Sequence, residues 1–316
     1  MTLRLSRVAG LLFCSGACAL VYQVAWFREL RLIFGASTAP SAAVMAVFMG
    51  GLGLGGVRFG KRADRAENPL ALYAHLEIGI ACLSALTPLL VWAANAAYLA
   101  SGGIAVLGLS VATMIRLALS VIVLGPVTFL MGGTLPAAAR AVESDGDPER
   151  RRVAILYAVN TLGAVVGTVL ANFLLLEVFG TRLTLWSAAL LNLLVGVTAR
   201  SLSRRSGATA GAADEKKADG EKKVDGEKKS ASAEEPSAGD RLAWFPPAAA
   251  ALAGGAFMLM ELTWYRMLAP LLGGSSYTFG LILAVALAGI AIGGWLYGRT
   301  RTPATLRGFA MTCGLE

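Results

Sequence analysis

The stretch Gly16-Ala-Cys-Ala-Leu-Val-Tyr-Gln23-Val-Ala-Trp26-Phe-Arg28-Glu29-Leu30 returns far downstream as Gly254-Gly-Ala-Phe-Met-Leu-Met-Glu261-Leu-Thr-Trp264-Tyr-Arg266-Met-Leu268. Extended without gaps at an offset of 238, the match pairs Gly16–Gly60 with Gly254–Gly298 and gives 12 identities in 45 positions. The pairs include Gly35/Gly273, Ser37/Ser275, Gly51/Gly289, Gly55/Gly293, Gly56/Gly294 and Gly60/Gly298. Each copy opens with an apolar run long enough for about 30 Å of hydrocarbon. A copy deep in the chain cannot be a signal peptide, so the first segment also reads as a retained span.

Composition agrees with lipid as the solvent. Of 316 residues, 56% are hydrophobic and 15% charged, with a mean hydropathy of +0.64. Soluble domains carry about 25% charged residues, so an ordinary soluble enzyme is excluded, as is a disordered or collagen-like chain. The stretch Arg200–Arg241 alone holds 19 of the 48 charged side chains. Apolar runs predict spans near Val8–Phe27, Ala39–Phe59, Pro69–Ala97, Leu117–Ala139, Val153–Phe179, Leu183–Ala199, Ala243–Leu268 and Tyr277–Tyr297, with a ninth beginning at Gly308. They are expected as helices, because only helices or closed barrels satisfy their backbone in lipid and barrel strands would alternate every second residue.

The expected fold class is therefore an all-α polytopic membrane protein of about eight transmembrane helices plus the start of a ninth, in two parallel repeats. Residues 1–199 would form the first six-helix repeat, 200–242 a disordered charged cytoplasmic linker, and 243–316 an incomplete second repeat. The linker carries tandem units, Ala218-Asp-Gly-Glu-Lys-Lys and Val224-Asp-Gly-Glu-Lys-Lys, whose polarity cannot offset ordering entropy. Positive charge sets the orientation. With the N-terminus inside, inner segments hold thirteen Arg/Lys outside the linker, among them Arg58, Lys61, Arg62, Arg65 and Arg150–Arg152, against Arg28, Arg31, Arg182 and Arg266 outside. Arg116 is left at the outer end of the fourth span, snorkelling to the interface. Pro126 and Pro136 are expected to kink or end that span.

The net charge of +8 belongs to these anchors, and no basic stripe interleaved with aromatics indicates nucleic acid. Cys14, Cys18, Cys82 and Cys313 lie in apolar stretches with no CxxC pair, and a single histidine cannot build a histidine-rich metal site. No metal or cofactor site is expected in this chain, and no catalytic triad, P-loop or metal-ligand cluster is present in its sequence.

Gly51-Leu-Gly-Leu-Gly55-Gly56 matches a dinucleotide fingerprint literally, but that motif needs a strand before it and a helix after it. Four-residue spacings at Gly51/Gly55, Gly56/Gly60, Gly289/Gly293 and Gly294/Gly298 instead predict close helix packing, and Gly163/Gly167 a similar face. The basic run Arg58–Arg65 reads as a cytoplasmic anchor or a gate latch. Trp26-Phe-Arg28 and Trp264-Tyr-Arg266 read as interfacial anchors or as part of a site. Gln23 and Glu261 are equivalent positions slightly deeper in the membrane. An intramembrane carboxylate is costly and marks a functional site by default, so Glu261 could take a cation or proton, with Arg266 as partner. Glu77, a third of the way along its span, is the other candidate, ahead of Glu177 near a span end. Asn160 and Asn172 are expected to make interhelical hydrogen bonds worth about 1 kcal/mol each.

Three stretches together carry a family likeness: Ser15-Gly16 through Leu30 with the Gly50–Gly56 run, Leu130-Met-Gly-Gly-Thr-Leu-Pro136, and Leu156-Tyr-Ala-Val-Asn160-Thr161-Leu-Gly163-Ala-Val-Val-Gly167. The chain resembles the membrane portion of the fused spermidine-synthase-like proteins of prokaryotes. That resemblance implies a major-facilitator-like region in an inner membrane, joined to a C-terminal aminopropyltransferase-type domain. The glycine-rich cofactor loop and acidic diamine pocket of such a domain have no counterpart here. The resemblance thus implies either a region that moves or presents a small cationic or amphiphilic substrate such as a polyamine, or a non-transporting anchor for an enzyme domain beyond Glu316. The substrate-binding candidates are Glu77, Glu261, Gln23, Arg266, Arg28 and Asn160; the expected partners are the lipid bilayer, that substrate, and missing C-terminal helices or an enzyme domain.

Overall fold

The structure, a computed structural model, describes residues 3–34, 38–143, 151–218, 245–273 and 276–299. Among these residues every regular element is helical. The order is α1 (Leu3–Phe34), α2 (Thr38–Asp64), α3 (Pro69–Ala100), α4 (Gly103–Gly132), α5 (Thr134–Val142), α6 (Arg151–Leu170), a π-helical turn (Ala171–Leu175), α7 (Leu176–Val178), α8 (Gly180–Ala218), α9 (Phe245–Leu272) and α10 (Ser276–Arg299). Among the described residues, six stretches are long and apolar enough to cross a membrane: Leu5–Arg31, Pro69–Ala100, Gly103–Val142, Arg151–Val178, Gly180–Arg205 and Tyr277–Arg299. The chain is thus a multi-pass helical membrane protein. Its outward surface agrees, with Leu89, Trp92, Val106, Leu109, Ile122 and Leu190 all exposed. The ninth expected span, Cys313 and the linker units beyond Ala218 lie outside the described residues.

Local chemistry explains where several helices begin and break. Asn68 caps α3, its Oδ1 accepting from the Ala71 amide at 3.1 Å, and Pro69 opens the helix where its missing N–H costs nothing. Gly102, at φ 84°, turns the chain straight into α4. The fourth membrane segment accordingly starts at Gly103, well before the expected Leu117, and Arg116 lies within it rather than at its end. There its Nη2 donates to the Tyr98 hydroxyl at 2.6 Å, so the expected snorkelling position gives way to a partner on α3. Gly108 (φ 70°, ψ 169°) interrupts α4, and the segment breaks again at Gly133, three residues before Pro136. α8 runs on to Ala218, past the Arg200 boundary set for the linker. Alanine, lysine and glutamate in that stretch are good helix formers.

Glycines decide which helices meet. A Cβ on Gly163 or Gly167 of α6 would lie 2.0 Å from the Phe13 carbonyl oxygen or 2.2 Å from that of Ala17 on α1, and one on Gly16 would lie 2.2 Å from the Asn160 carbonyl oxygen. The crossing of α2 and α4 is equally close: a Cβ on Gly55 would lie 1.9 Å from the Phe129 carbonyl oxygen, one on Gly51 1.9 Å from the Thr128 hydroxyl, and one on Gly132 2.1 Å from the Leu52 carbonyl oxygen. In α10 the arrangement differs. Gly280, Gly294 and Gly298 share one helical face and meet Asn172, Ala158 and Ile155 of the α6 segment, while Gly289 and Gly293 on the opposite face meet nothing within 4 Å, as is true of Gly60 in α2.

Two apolar clusters form the core. One gathers Tyr22, Trp26, Phe27, Phe48, Ile80, Leu124, Leu185 and Phe279; the other gathers Leu12, Tyr73, Ala138, Leu156 and Val195. Gly55→Ala and Gly163→Ala should each cost about 1–3 kcal/mol, the range for overpacking, whereas Gly289→Ala and Gly293→Ala should leave the thermal midpoint of the purified chain unchanged. Equal losses at all four positions would mean that the outer face of α10 is covered too.

Candidate functional site

Between the two apolar clusters lies a polar layer built from three helices. Ser15 sits on α1 between Leu12 and Cys18, Glu77 on α3 between Tyr73 and Ile80, and Asn192 on α8 between Ala189 and Val195. The Ser15 hydroxyl donates to Glu77 Oε1 at 2.6 Å; Asn192 Nδ2 donates to Glu77 Oε2 at 2.6 Å and to the Glu77 carbonyl oxygen at 2.9 Å. Glu77 has no accessible surface. Both of its carboxyl oxygens are engaged, and the bonds tie α1, α3 and α8 together at one depth. About three turns further along, the Trp26 indole donates to Thr87 Oγ1 at 3.0 Å. Trp26 is fully buried and stacked on Tyr22 at 5.4 Å between ring centres. It is a core residue, not the interfacial anchor its sequence suggests, because α3 offers its indole a buried acceptor. Its repeat partner Trp264 is 38% exposed.

The second carboxylate has a different environment. Glu261 on α9 is 1% exposed, and neither of its oxygens has a hydrogen-bond partner. Arg266 does not supply one. Five residues along a helix turn the side chain by about 140°, and Arg266 points out to an exposed face; the expected Glu261–Arg266 pairing is therefore corrected. What surrounds Glu261 follows from its neighbours one turn on. Tyr265 meets Phe279 of α10 edge-on at 6.0 Å, and Phe27 of α1 stacks on the same ring at 4.2 Å. Tyr265 shares a face with Glu261, and Phe27 with Gln23, so both repeat positions turn toward the α10 seam. Gln23 is buried and its Nε2 is unpartnered.

A third polar group reaches that seam from the α6 segment. Asn172 lies in the π-helical turn, an irregularity found mostly at functional sites. Its Nδ2 donates to the Thr168 carbonyl at 2.9 Å within its own helix, so the expected interhelical bond is not made, and its Oδ1 is left buried and unpartnered. It abuts Gly280, the residue after Phe279. Asn172 thus abuts α10 at Gly280, and Glu261 and Gln23 each stand one turn from a ring that touches Phe279; together they leave three acceptor oxygens and one amide donor without a partner.

The remaining candidates lie elsewhere. Arg28 is half-exposed at the rim, 4.0 Å from Glu177, which also accepts from the Tyr277 hydroxyl and so joins α1, α7 and α10. Asn160 sits where α1 crosses α6, its Oδ1 facing Gly16. Sequence reasoning passed over Asn192 and Ser15. An amide in the middle of the sixth apolar run was the signal for Asn192; Ser15 offered none. Among the described residues, no three His, Cys, Asp or Glu side chains gather as metal ligands. Cys14, Cys18 and Cys82 are free thiols. Comparison with known proteins returns no match to any family model, curated protein or solved structure.

Because Ser15 can turn its hydroxyl to accept, Glu77→Gln keeps both hydrogen bonds and should change stability by less than about 1 kcal/mol. Glu77→Leu takes the carboxyl acceptor from Ser15 and leaves Asn192 only its bond to the residue-77 carbonyl, and should cost about 1–3 kcal/mol for the buried polar group left unmatched. Thermal unfolding in detergent separates the two; equal losses would show that the negative charge, not the bonding pattern, holds the layer.

Proposed function

We propose that this chain is the membrane region of a spermidine-synthase-like fusion protein of a prokaryotic inner membrane, and that it binds a small organic cation such as a polyamine at the α1–α9–α10 seam. In this reading α2 and α9 also span the membrane, giving eight spans. The pairs α1–α2 and α9–α10 open two parallel repeats of major-facilitator type, and the N-terminus is cytoplasmic. Gly51 and Gly55 seat α4, whereas their repeat partners Gly289 and Gly293 face open space. That difference supports a second repeat whose own partner helix is not among the described residues.

The observation that carries the cation reading is the surplus of buried acceptors. Glu261 presents two unpartnered oxygens and Asn172 one, against a single free amide donor on Gln23. A protonated amine supplies up to three N–H donors and a positive charge, so it satisfies this arrangement where water or a neutral ligand leaves the carboxylate uncompensated. The aromatic rings of Phe27, Tyr265 and Phe279 one turn away suit the methylene chain of such a ligand, while the Arg31 guanidinium lies over Phe27 at 5.3 Å and over Tyr265 at 5.9 Å and takes the cation–π contacts there. Glu77 has no comparable vacancy, because its oxygens are already bonded to Ser15 and Asn192; its role in this reading is to hold the bundle.

The test is spermidine titration of the purified full chain in nanodiscs, read by calorimetry. Wild type should bind saturably, Glu261→Gln should weaken binding by about tenfold or more, or at least about 1.4 kcal/mol, and Glu77→Gln should bind like wild type. Unchanged binding in Glu261→Gln would remove the seam as the site. No spermidine binding by the wild type would favour the anchor reading, in which the helices only hold an aminopropyltransferase-type domain at the membrane.

A further inference from the structure

Two cavities that the cation reading does not use lie end to end along α2. The first is an apolar groove of about 610 Å³ between α2 and α4, lined by Val47, Gly50 and Leu54 on one side and Val121, Pro126 and Phe129 on the other. The second is a basic cavity of about 750 Å³ where α2 ends and α3 begins, lined by Arg58, Lys61, Arg62, Arg65 and His75. They share a helical face. At about 100° per residue, Val47, Leu54, Arg58, Lys61 and Arg65 fall within an arc of about 60°. Leu54 and Arg58 are one turn apart, about 6 Å along the axis. Leu54 and Val57, just inside the first arginine, are 69% and 66% exposed.

Among the described residues, Arg58, Lys61, Arg62 and Arg65 are shown in no ion pair: the pairs seen, Arg28–Glu177 and Arg140–Glu143, lie elsewhere, and the nearby Asp64 and Glu67 are exposed. Anchoring by positive charge and complementing the helix C-terminus account for one or two cations. They do not account for four cations and a histidine around one cavity, nor for the apolar groove leading into it. An acyl chain fits the groove, and guanidinium groups pair with phosphate oxygens through charge-assisted, often bidentate bonds. Basic pockets between membrane helices at an interface are the known form of acidic lipid sites.

We propose that an acidic phospholipid binds along α2, with an acyl chain in the α2–α4 groove and its phosphate in the basic cavity. The ligand is an amphiphile: net negative charge distinguishes it from zwitterionic lipid, and the groove distinguishes it from free phosphate.

The test uses the full chain in detergent, with retained lipid read by native mass spectrometry and stability by thermal unfolding. The probes are phosphatidylglycerol, phosphatidylcholine, glycerol 3-phosphate and inorganic phosphate. Phosphatidylglycerol should bind and raise the thermal midpoint, with phosphatidylcholine weaker by about tenfold and the two soluble phosphates without effect at equal concentration. Arg58→Gln with Arg62→Gln should abolish the preference for the acidic lipid. Gly50→Leu fills the groove without a backbone clash, since nothing lies within 4 Å of a Cβ there, and should weaken retention of both lipids while circular dichroism stays unchanged. If the arginine pair fails to fold, Lys61→Gln with Arg65→Gln reads the same cavity from exposed positions. Equal binding of the two lipids, or an unchanged preference in a folded charge variant, would overturn the proposal. Full stabilisation by inorganic phosphate would also overturn it, assigning the cavity to a free anion.

Discussion

Hydrocarbon offers a buried carboxyl group no water, so every acceptor it carries has to be matched by its own bundle. Glu77 meets that constraint through Ser15 and Asn192, and the three helices involved are those that divide the interior into two apolar clusters. The layer fixes the rotation of α1. Once Ser15 faces α3, Trp26 reaches Thr87 on the same helix, while Gln23 and Phe27 turn toward α10. Glu261 arrives at that side with nothing to bond to it. In the proposed reading, the contrast between a satisfied carboxyl group and an unsatisfied one separates framework from site.

Much of the framework was legible in the sequence. Long apolar runs marked the helices, and Gly51, Gly55, Gly163 and Gly167, spaced by four, lie at the crossings where backbones come within reach. Which side of each helix faces protein was much less legible. A span apolar all round carries no amphipathic stripe to say which face is inward, so Trp26 read as an interfacial anchor although it lies in the core. Chain proximity likewise suggested Arg266 as the partner of Glu261, although helical rotation places the two on different faces. The interruption at Gly108 and the π-helical turn at Asn172 carried no sequence signal. Both depend on neighbouring helices, which a local pattern does not encode.

The repeat shows how the same residues acquire different surroundings. Gly55 and Gly293 are equivalent in sequence, yet one is pressed against α4 and the other is open. Trp26 is enclosed while Trp264 is partly exposed; Gln23 is neutral where Glu261 is acidic. These differences follow from α2 packing on α4 while α10 packs on α6 through its other glycine face. An internal repeat therefore marks positions to compare, and the packing around each copy decides what those positions do.

The central claim is that Glu261 is available to a ligand while Glu77 is committed to the framework. A hydrophobic carbodiimide, which reaches carboxyl groups within the bilayer and forms a stable acylurea with them, reads that difference in the unmodified protein. Peptide mass mapping after labelling should find the adduct on Glu261, diminished when spermidine is present, with Glu77 unlabelled. Labelling of Glu77 to the same extent, or a Glu261 adduct indifferent to spermidine, would contradict the account.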